Sequence, residues 1–392
     1  MTKRHARGQK HAAAAVAGGA PASRPGEGAE LQIVGLVLAV KALVLLFGAQ
    51  SFTVNRNLPV PSLYGALALW NNWDAPHYLD IARDGYVDEG VAERWIVFLP
   101  LYPWLVRLFA LAARDELLAA FFVSSLASVA AALLLYRLAA LDDTERVARA
   151  SVFFMLAFPT AYFLHIGYTE SLFLALALGA FLAARRRVWW AAGVLGALAS
   201  LTRLNGLLLV PALAFEALAE YRESGRRFRR EWLWVGFAAL GFVCYLGINL
   251  KVQGHPFAFM EMQERHWQKT LAWPWAGVVS TLGNTLRRQP SEAQMVGWQE
   301  LFFLALGLGC TAWCWLRWRT SYAVWMSLNW LLFASTKFLL SVPRYTLVMF
   351  PVYVIFARAA AARPAWGWVI TVWSLLFMAL FITRFVQGFW AF

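Results

Sequence analysis

The sequence predicts an all-α polytopic membrane protein with about eleven transmembrane helices, and three observations support this fold class. Hydrophobic residues make up 60% of the 392 residues and charged residues only 15%, whereas soluble proteins carry about 25% charge. The hydrophobic residues form repeated blocks near the length of about 20 residues that a bilayer-spanning helix needs. The net charge of +13 lies largely in short basic segments beside these blocks. That placement follows the positive-inside rule and argues against a nucleic-acid-binding surface.

The N-terminal segment, residues 1–30, is rich in Ala, Gly, Pro, Lys and Arg. It is predicted to be a disordered, basic cytoplasmic tail because it cannot build a core. A cleaved signal peptide is the alternative, but the polar lead is long and the apolar stretch after it exceeds an ordinary h-region. Residues 31–392 are predicted to form a single transmembrane domain with external loops at 53–116 and 253–297.

Basic loops orient the predicted spans. The first span, 31–52, carries the chain from the cytoplasmic tail to the outer face. Segment 98–113 is apolar but short and contains two prolines, so it either spans the bilayer or lies at its interface. The interfacial placement puts the basic runs 185–187 and 222–230 both in the cytoplasm, and we adopt it for that reason. The remaining predicted spans are 117–141, 151–166, 171–184, 188–204, 205–221, 232–252, 298–316, 322–340, 345–362 and 366–386.

The first external loop concentrates groups that suit sugar chemistry. It contains the run Trp70-Asn71-Asn72-Trp73-Asp74-Ala75-Pro76-His77-Tyr78. Two indoles flank the aspartate, and a histidine follows three residues later. Aromatic faces pack well against the C–H faces of pyranose rings, and a carboxylate can accept a hydroxyl proton. The alternative is a solvated loop with interfacial tryptophans.

Ionisable residues in or beside apolar segments form a second group. They are Lys41, His165, Glu170, Arg203, Lys337, Arg344 and Arg384. Such residues are rare in membranes and usually functional, although snorkelling or structural pairing is the alternative for each one alone. All except the mid-span Lys41, for which the sequence indicates no role, lie toward the outer leaflet in this topology. Because the planar guanidinium suits phosphate, the sequence predicts a lipid-phosphate site there.

Cysteine usage indicates no covalent framework and no metal site. Cys244, Cys310 and Cys314 all lie inside apolar segments. Their spacing matches neither a disulfide scaffold nor a metal-binding motif. They are predicted to be small buried apolar residues.

Six short motifs are spread along the predicted domain. They are Trp73-Asp74-Ala75-x-His77-Tyr78-x-x-Ile81-Ala82-x-x-Gly85-Tyr86, Phe98-x-Pro100-Leu101-Tyr102-Pro103, Phe158-Pro159, Gly167-Tyr168-Thr169-Glu170-Ser171-Leu172-Phe173, Thr202-Arg203-Leu204-Asn205-Gly206 and Pro343-Arg344-Tyr345. Together they resemble the PIG-V family, which comprises the GPI mannosyltransferase II enzymes and their bacterial relatives. The resemblance covers roughly residues 31–360. One departure lies at 202–206, where the family commonly reads Arg-Ser-Asn-Gly.

The resemblance implies the GT-C membrane glycosyltransferase fold, with helices lying on the membrane in the first external loop. It implies that 31–392 is one catalytic domain that transfers a hexose, here mannose, from a polyprenyl-phosphate donor on the non-cytoplasmic face. It further implies a reaction without metal or other cofactor. The catalytic aspartate of the first external loop corresponds to Asp74, which would act as general base in an inverting transfer.

The predicted substrate-binding residues are Trp73, His77, Tyr78, His165, Tyr168, Glu170, Arg203, Asn205 and Arg344. The two arginines would neutralise the phosphate charge as it develops. The Ala/Arg-rich composition indicates a bacterial inner (plasma) membrane protein with its active site on the periplasmic or extracellular side. That setting argues against a GPI acceptor and leaves an unknown glycan, lipid or protein.

Two other functions fit parts of the pattern. A transporter or flippase of a lipid-linked or amphiphilic substrate would use the same charges, but it would place them at mid-membrane rather than at one face beside a Trp- and Asp-rich loop. Matched Gly/Pro-broken segments in the two halves, the usual indication of a secondary transporter, are not evident. A non-catalytic membrane scaffold would not need Asp74.

Overall fold

The computed structural model describes residues 27–392. Residues 1–26, most of the predicted cytoplasmic tail, lie outside the described part. The first helix begins at Glu27, four residues before the predicted start of the domain. Glu30 in its first turn accepts two hydrogen bonds from the guanidinium of Arg137, at 2.8 and 2.7 Å.

The described chain is almost entirely helical. Its α-helices are α1 Glu27–Arg56, α2 Leu63–Ala68, α3 Ala75–Asp84, α4 Leu101–Ala113, α5 Glu116–Ala139, α6 Glu145–Ala157, α7 Glu170–Arg185, α8 Trp189–Thr202, α9 Leu209–Glu223, α10 Trp234–Phe237, α11 Leu240–Gln253, α12 Ala258–Trp267, α13 Pro274–Thr285, α14 Pro290–Ala293, α15 Gln299–Arg317, α16 Thr320–Ala334, α17 Val342–Thr346, α18 Pro351–Ala362 and α19 Pro364–Val386. Short 3₁₀ segments lie at Val91–Val97, Ala161–Leu164, Leu204–Leu208 and Arg230–Leu233, and a π-helical turn lies at Gln294–Trp298.

The predicted fold class is confirmed, whereas the count of about eleven spans is not. Six helical stretches between residues 27 and 392 are long and apolar enough to cross a bilayer: Gly28–Arg56, Glu116–Ala139, Leu204–Glu223, Arg230–Gln253, Pro290–Arg317 and Pro364–Val386. Several other predicted spans fold as helices of 12 to 16 residues, namely α6, α7, α8, α16 and α18. At 1.5 Å per residue these helices are shorter than a hydrocarbon core of about 30 Å.

The centre of the molecule contains the long helix α5 and several short helices, whereas long helices such as α1 and α19 lie at its edge. Helix α7 packs between α5 and α8, and α6 packs on α18. Small residues along α5, such as Ala120 and Ser124, are buried and let neighbouring backbones approach closely. Helices α1 and α19 pack together at the edge and leave large side chains such as Leu43 and Trp368 exposed, as expected of a surface that faces lipid.

The segment predicted to lie at the interface forms α4, which has 13 residues and a length of about 20 Å. It is bent by 113° from the 3₁₀ segment Val91–Val97 before it. Its C-terminal turn passes through Arg114, with φ 55°, to Asp115. The Asp115 carboxylate caps α5 by accepting the N–H of Leu118 at 2.8 Å. Helix α4 alone is too short to cross the bilayer, and its interfacial location stays a prediction.

The second predicted external loop, 253–297, contains α12, α13 and α14. Its middle is tied to the segment before α17 by the one β-bridge between residues 27 and 392, which joins Leu271 and Thr336. Two backbone hydrogen bonds of 3.1 Å flank the bridge, from Lys337 N–H to Thr270 O and from Ala272 N–H to Ser335 O. The loop is therefore held against the turn that leads into α17.

Candidate active site

Asp74 is presented by a tight turn at the start of α3. It occupies the position before the first helical residue and makes no capping bond, so its carboxylate is available for other contacts. Trp73 before it adopts φ 59°, in the left-handed region that non-glycine residues seldom occupy. The Asn72 side chain anchors the turn by donating to Leu69 O at 2.9 Å and Phe385 O at 3.1 Å.

Arg344 approaches Asp74 from the short helix α17. Its guanidinium is almost fully buried, with a side-chain exposure of 6%. The preceding residue, Pro343, lies in the first turn of α17, and Ser341 at the N-cap adopts φ 69°. Asp74 and Arg344 are 270 residues apart in the chain, and only the tertiary fold brings them together.

Four charged side chains form one hydrogen-bonded cluster. Arg344 Nη1 donates to Asp74 Oδ2 and its Nε donates to Glu170 Oε1, both at 2.5 Å. Arg203 Nη1 donates to the same Glu170 oxygen at 2.5 Å and to Thr169 Oγ1 at 2.8 Å. Glu170 is fully buried. Removing one partner from a buried ion pair leaves an uncompensated charge, which lowers the free energy of unfolding by about 3–5 kcal/mol. Glu170 therefore holds both guanidinium groups in place.

The cluster keeps unused hydrogen-bonding capacity. Within residues 27–392, neither the Nη2 group of Arg344 nor that of Arg203 has a protein acceptor, and Asp74 Oδ1 has no protein donor. Asp74 retains 28% side-chain exposure. Guanidinium donors suit phosphate oxygens, and a carboxylate oxygen accepts a hydroxyl proton. One small region can therefore hold an anion and deprotonate an alcohol.

Two predicted site tyrosines lie behind the cluster. Tyr168 is fully buried, and its hydroxyl donates to the carbonyl of Asn72 at 2.7 Å, which supports the Asp74 turn. The Arg344 guanidinium lies 4.7 Å from the Tyr168 ring centroid. Tyr78 is also buried and meets Tyr168 edge to face, with centroids 6.0 Å apart. In the described contacts both tyrosines touch protein, and their role in binding substrate stays a prediction.

Two more predicted residues, Trp73 and His77, lie on either side of Asp74. Trp73 is exposed and packs edge to face on Trp390, with centroids 5.0 Å apart. The His77 ring stacks on Trp95 at 3.6 Å. Burial lowers the pKa of His77, although Asp74 raises it. The imidazole is therefore neutral at pH 7.

His165 does not join the charged cluster. It is fully buried, and neither ring nitrogen has a partner within residues 27–392. Its backbone carbonyl accepts a 2.7 Å hydrogen bond from Lys41 Nζ. The ammonium also lies 5.3 Å from the ring centroid of Phe121. Lys41, which had no role from sequence, therefore ties α1 to the segment that carries Tyr168 and Glu170.

The residues of the motif at 202–206 have two roles, one electrostatic and one in packing. Arg203 joins the cluster, whereas Asn205 donates to Asn329 Oδ1 at 3.0 Å on α16. A Cβ at Gly206 would overlap the backbone of Ala199 and Ser200. Glycine is therefore required where this 3₁₀ segment crosses α8. The structure thus brings together Asp74, Glu170, Arg203 and Arg344, and places Asn205 outside the cluster.

Two residues beside Arg344 were missed by sequence reasoning. Glu300 on α15 is fully buried, and its carboxylate accepts the backbone N–H groups that begin α17. Glu300 is a carboxylate within a predicted apolar span, which is the criterion by which Glu170 and Arg344 were selected. The sequence therefore did contain an indication of Glu300. Lys269 donates to the Tyr345 hydroxyl at 2.8 Å. Because Lys269 lies in a polar loop, the sequence offered no signal for it.

Possible metal ligands do not converge in the described part of the chain: no three His, Cys, Asp or Glu side chains come together between residues 27 and 392. Cys244, Cys310 and Cys314 are free thiols. Cys310 and Cys314 are buried as predicted, whereas Cys244 is exposed on α11, so the prediction that it is buried was wrong. Its surface position in an apolar helix allows contact with lipid.

The helical architecture matches a solved membrane enzyme. The crystal structure of ArnT from Cupriavidus metallidurans bound to undecaprenyl phosphate superposes with a TM-score of 0.52, covering 90% of this chain and 71% of that chain at 17% identity. At this identity the similarity shows the fold alone. The fold class is that of the GT-C membrane glycosyltransferases.

Sequence comparison gives the family. The family described as Mannosyltransferase (PIG-V) matches residues 43–276, more than half of the chain, so this chain belongs to the PIG-V mannosyltransferase family. GPI mannosyltransferase 2 of Schizosaccharomyces pombe is 26% identical over 222 residues, which cover 50% of this chain and 47% of that protein. GPI alpha-1,6-mannosyltransferase 2 of Rattus norvegicus is 34% identical over 163 residues, which cover 38% and 32%. The matches thus span less than half the length of these relatives.

Proposed function

We propose that this chain transfers a hexose, mannose, from a polyprenyl-phosphate donor to an acceptor hydroxyl, with inversion at the anomeric carbon. The observation that carries the proposal is the hydrogen bond between Asp74 and Arg344. It places a partly exposed carboxylate beside a buried guanidinium with donors to spare. Family membership supports the sugar, and the donor is inferred from the chemistry of the cluster.

In the proposed reaction Asp74 is the general base. Its Oδ1 takes the proton from the acceptor hydroxyl while that oxygen forms a bond to the anomeric carbon. The bond between that carbon and the phosphate oxygen breaks, and the electron pair stays on the phosphate. Because the acceptor enters opposite the leaving phosphate, the configuration inverts. General-base catalysis of this kind contributes about 10²–10⁴-fold.

Arg203 and Arg344 are proposed to bind the phosphate through their unused donors. Glu170 serves both guanidinium groups and holds them side by side. Preorganised charges of this kind stabilise charge that develops in the transition state. Trp73 and His77, on either side of Asp74, are proposed to contact the sugar. The buried His165, Tyr168 and Asn205 are proposed, with Tyr78, to position this machinery.

The lipid chain of the donor is proposed to lie in an apolar cavity between α4, α5, α7 and α8. The cavity has a volume of about 620 Å³. Leu172, two residues after Glu170, contributes to its wall, as do Leu105 and Phe109 of α4. A largely apolar cavity with a wall residue so near Glu170 in sequence suits the isoprenoid tail of a donor whose phosphate lies at the charged cluster.

The lipid-linked donor already carries an activated sugar, so the proposed reaction draws on no other cofactor. We place the protein as a multi-pass protein of a bacterial inner membrane, with the cluster on the periplasmic or extracellular side. The acceptor is a glycan, lipid or protein that presents a hydroxyl. The Ala/Arg-rich composition and the basic loops support this placement.

The test is transfer of radiolabel by the purified protein in detergent. The donor is undecaprenyl-phosphate-mannose of known anomeric configuration, and the acceptor source is membranes from a strain that lacks this protein. We expect label to leave the lipid donor and appear in a product of the opposite configuration. Use of GDP-mannose in place of the lipid donor contradicts the proposed donor. In a parallel assay with the protein reconstituted into liposomes, movement of intact donor between leaflets without transfer indicates a transporter instead.

A further inference from the structure

Lys269 brings a third cation to the active site from the second external loop. Its Nζ donates to the Tyr345 hydroxyl at 2.8 Å and lies 5.0 Å from the ring centroid of Tyr345. Tyr345 follows Arg344 directly in the chain, and the Arg203 guanidinium lies 5.8 Å from the same ring. Lys269 and Arg203 therefore both lie against the ring of the residue that follows Arg344.

Lys269 differs from the two arginines in having no anionic partner. Arg203 and Arg344 both donate to carboxylates of the cluster. Within residues 27–392, no carboxylate oxygen lies within 4.0 Å of Lys269 Nζ, whereas Arg203 has one at 2.5 Å and Arg344 has two. The buried Glu300 carboxylate nearby accepts the backbone N–H groups of Ser341 and Val342. Lys269 therefore adds to the site a cation that no carboxylate contacts directly.

The backbone around Lys269 is anchored. Its N–H donates to Gln263 O at 3.3 Å, and the β-bridge between Leu271 and Thr336 begins two residues later. The half-buried Lys269 side chain is thus directed at Tyr345 by a segment that pairs with the residues just before α17. A lysine that served only solubility would not need this arrangement.

We propose that Lys269, together with the Tyr345 hydroxyl, forms a phosphate subsite that binds the head of the lipid donor and stabilises it as a leaving group. This inference rests on the proposed function. The donor is a phosphodiester with one negative charge, and cleavage of the bond to the anomeric carbon adds a second charge to the departing monoester. Arg203 and Arg344 bind the phosphate while they stay paired with carboxylates. The ammonium, which contacts no carboxylate, supplies further positive charge to balance the added one. Of its three donors, one is used by Tyr345 and two remain for phosphate oxygens.

Binding of radiolabelled undecaprenyl phosphate to the full chain in detergent tests the subsite without requiring turnover. Undecaprenol and inorganic phosphate serve as separate probes that distinguish the lipid chain from the phosphate. The variants are Lys269→Met, Lys269→Arg and Tyr345→Phe, with Lys251→Met as a matched control at an exposed position at the end of α11. Melting temperatures show which variants are folded.

We expect Lys269→Met to weaken undecaprenyl phosphate binding by about tenfold or more, the effect of losing a charged hydrogen bond. Tyr345→Phe should weaken it by a smaller factor. Lys269→Arg and Lys251→Met should bind as the parent does, and undecaprenol binding should be unchanged throughout. Inorganic phosphate should compete only weakly, because it lacks the lipid chain.

Equal affinity of Lys269→Met and the parent for undecaprenyl phosphate overturns the inference while the proposed function stands. An equal loss of undecaprenol binding in Lys269→Met also overturns it, because the effect would then not concern phosphate. If Lys269→Met does not fold, the other two variants decide. The inference is then overturned when Tyr345→Phe binds undecaprenyl phosphate as tightly as the parent does and Lys269→Arg binds it about tenfold less tightly. A parent protein that neither binds undecaprenyl phosphate nor transfers sugar overturns the proposed function itself.

Discussion

Glu300 holds Ser341 in place, because its buried carboxylate accepts a hydrogen bond from the Ser341 backbone N–H at 2.8 Å through Oε1. Its other oxygen accepts the N–H of Val342 at 2.7 Å. Ser341 adopts φ 69°, a conformation that costs a non-glycine residue about 1–3 kcal/mol. Glu300 offsets this cost, and the turn it fixes directs Arg344 toward Asp74.

Glu300→Gln is expected to lower the catalytic rate and the stability together. The amide keeps one acceptor but turns an NH₂ group toward a backbone donor, and a buried N–H without an acceptor costs about 1–3 kcal/mol. Thermal unfolding in detergent and steady-state kinetics measure the two effects. Glu292→Gln, at an exposed position of α14, is the control and should change neither. Wild-type kinetics in Glu300→Gln would show that the turn does not depend on the carboxylate.

Asp74→Asn is expected to reduce turnover by about 10²–10⁴-fold, because the amide cannot accept the acceptor's proton. The fold should survive, since Arg344 keeps its bond to Glu170. Asp80→Asn on the same helix is the matched control, because Asp80 pairs only loosely with Arg83, at 3.9 Å. Near-normal transfer by folded Asp74→Asn protein would move the search for the base to Asp80, Asp84 or Glu170.

Arg344→Lys is expected to raise the KM for the lipid donor and to lower kcat. Lysine keeps the charge but lacks the planar fork with which Arg344 serves Asp74 and Glu170 at once. Arg344→Ala should be more severe, since buried Glu170 is left with Arg203 alone. Donor-dependent kinetics report both effects, with Arg363→Lys, at an exposed position, as control. Unchanged donor kinetics in Arg344→Ala would remove Arg344 from the phosphate site.

His77 is expected to make the protein less stable in mild acid. Burial lowers the pKa of His77 below its usual value of 6.5, and Arg94 adds to that effect, while Asp74 and Asp80 oppose it. The unfolded chain therefore binds a proton at a higher pH than the folded chain does. The stabilisation is complete above about pH 6.5 and declines as the pH falls toward the lowered pKa. Melting temperatures between pH 7.5 and about 5 should fall more steeply for the parent than for His77→Gln, and identical slopes would contradict this.

Orientation in the membrane is tested with cysteines at exposed positions of two loops. Gly90, in the first external loop, has φ 77°, where a side chain would be strained, so its exposed neighbour Glu89 is the better site. In a background with Cys244 replaced by Ala, Glu89→Cys should react with an impermeant thiol reagent in intact cells. Ser224→Cys should react only after lysis, because it lies beside a basic loop. The reverse labelling would invert the proposed topology.

Much of the active site could be predicted because charge in an apolar segment is conspicuous. Glu170, Arg203 and Arg344 were selected in this way, and Asp74 was selected by the aromatic residues around it in the first external loop. The structure joins all four, because Arg203 and Arg344 share Glu170 Oε1 and Arg344 also donates to Asp74. The pairing itself could not be predicted, since it depends on how distant helices pack. Lys269 was missed because a lysine in a polar loop is unremarkable until its partner is known.

The fold class was predictable and the helix lengths were not. Hydropathy measures how apolar a stretch is, and it does not register a 3₁₀ turn such as Leu204–Leu208 between two apolar helices. Burial by neighbouring helices lets short helices such as α8, with 14 residues, replace full spans at the centre. The helix lengths therefore depend on tertiary packing, and composition alone does not predict them.

The separation of 270 residues between Asp74 and Arg344 also sets the order in which the site is made. A ribosome adds about 5–20 residues per second, so Arg344 is synthesised roughly 10–50 s after Asp74. Late in that interval the nascent protein contains Asp74, Glu170 and Arg203, but it has neither the guanidinium of Arg344 nor Lys269 in its final place. The proposed catalytic centre is thus one of the last parts of the protein to be assembled, and an incomplete nascent chain lacks the full set of charges that the proposed sugar transfer needs.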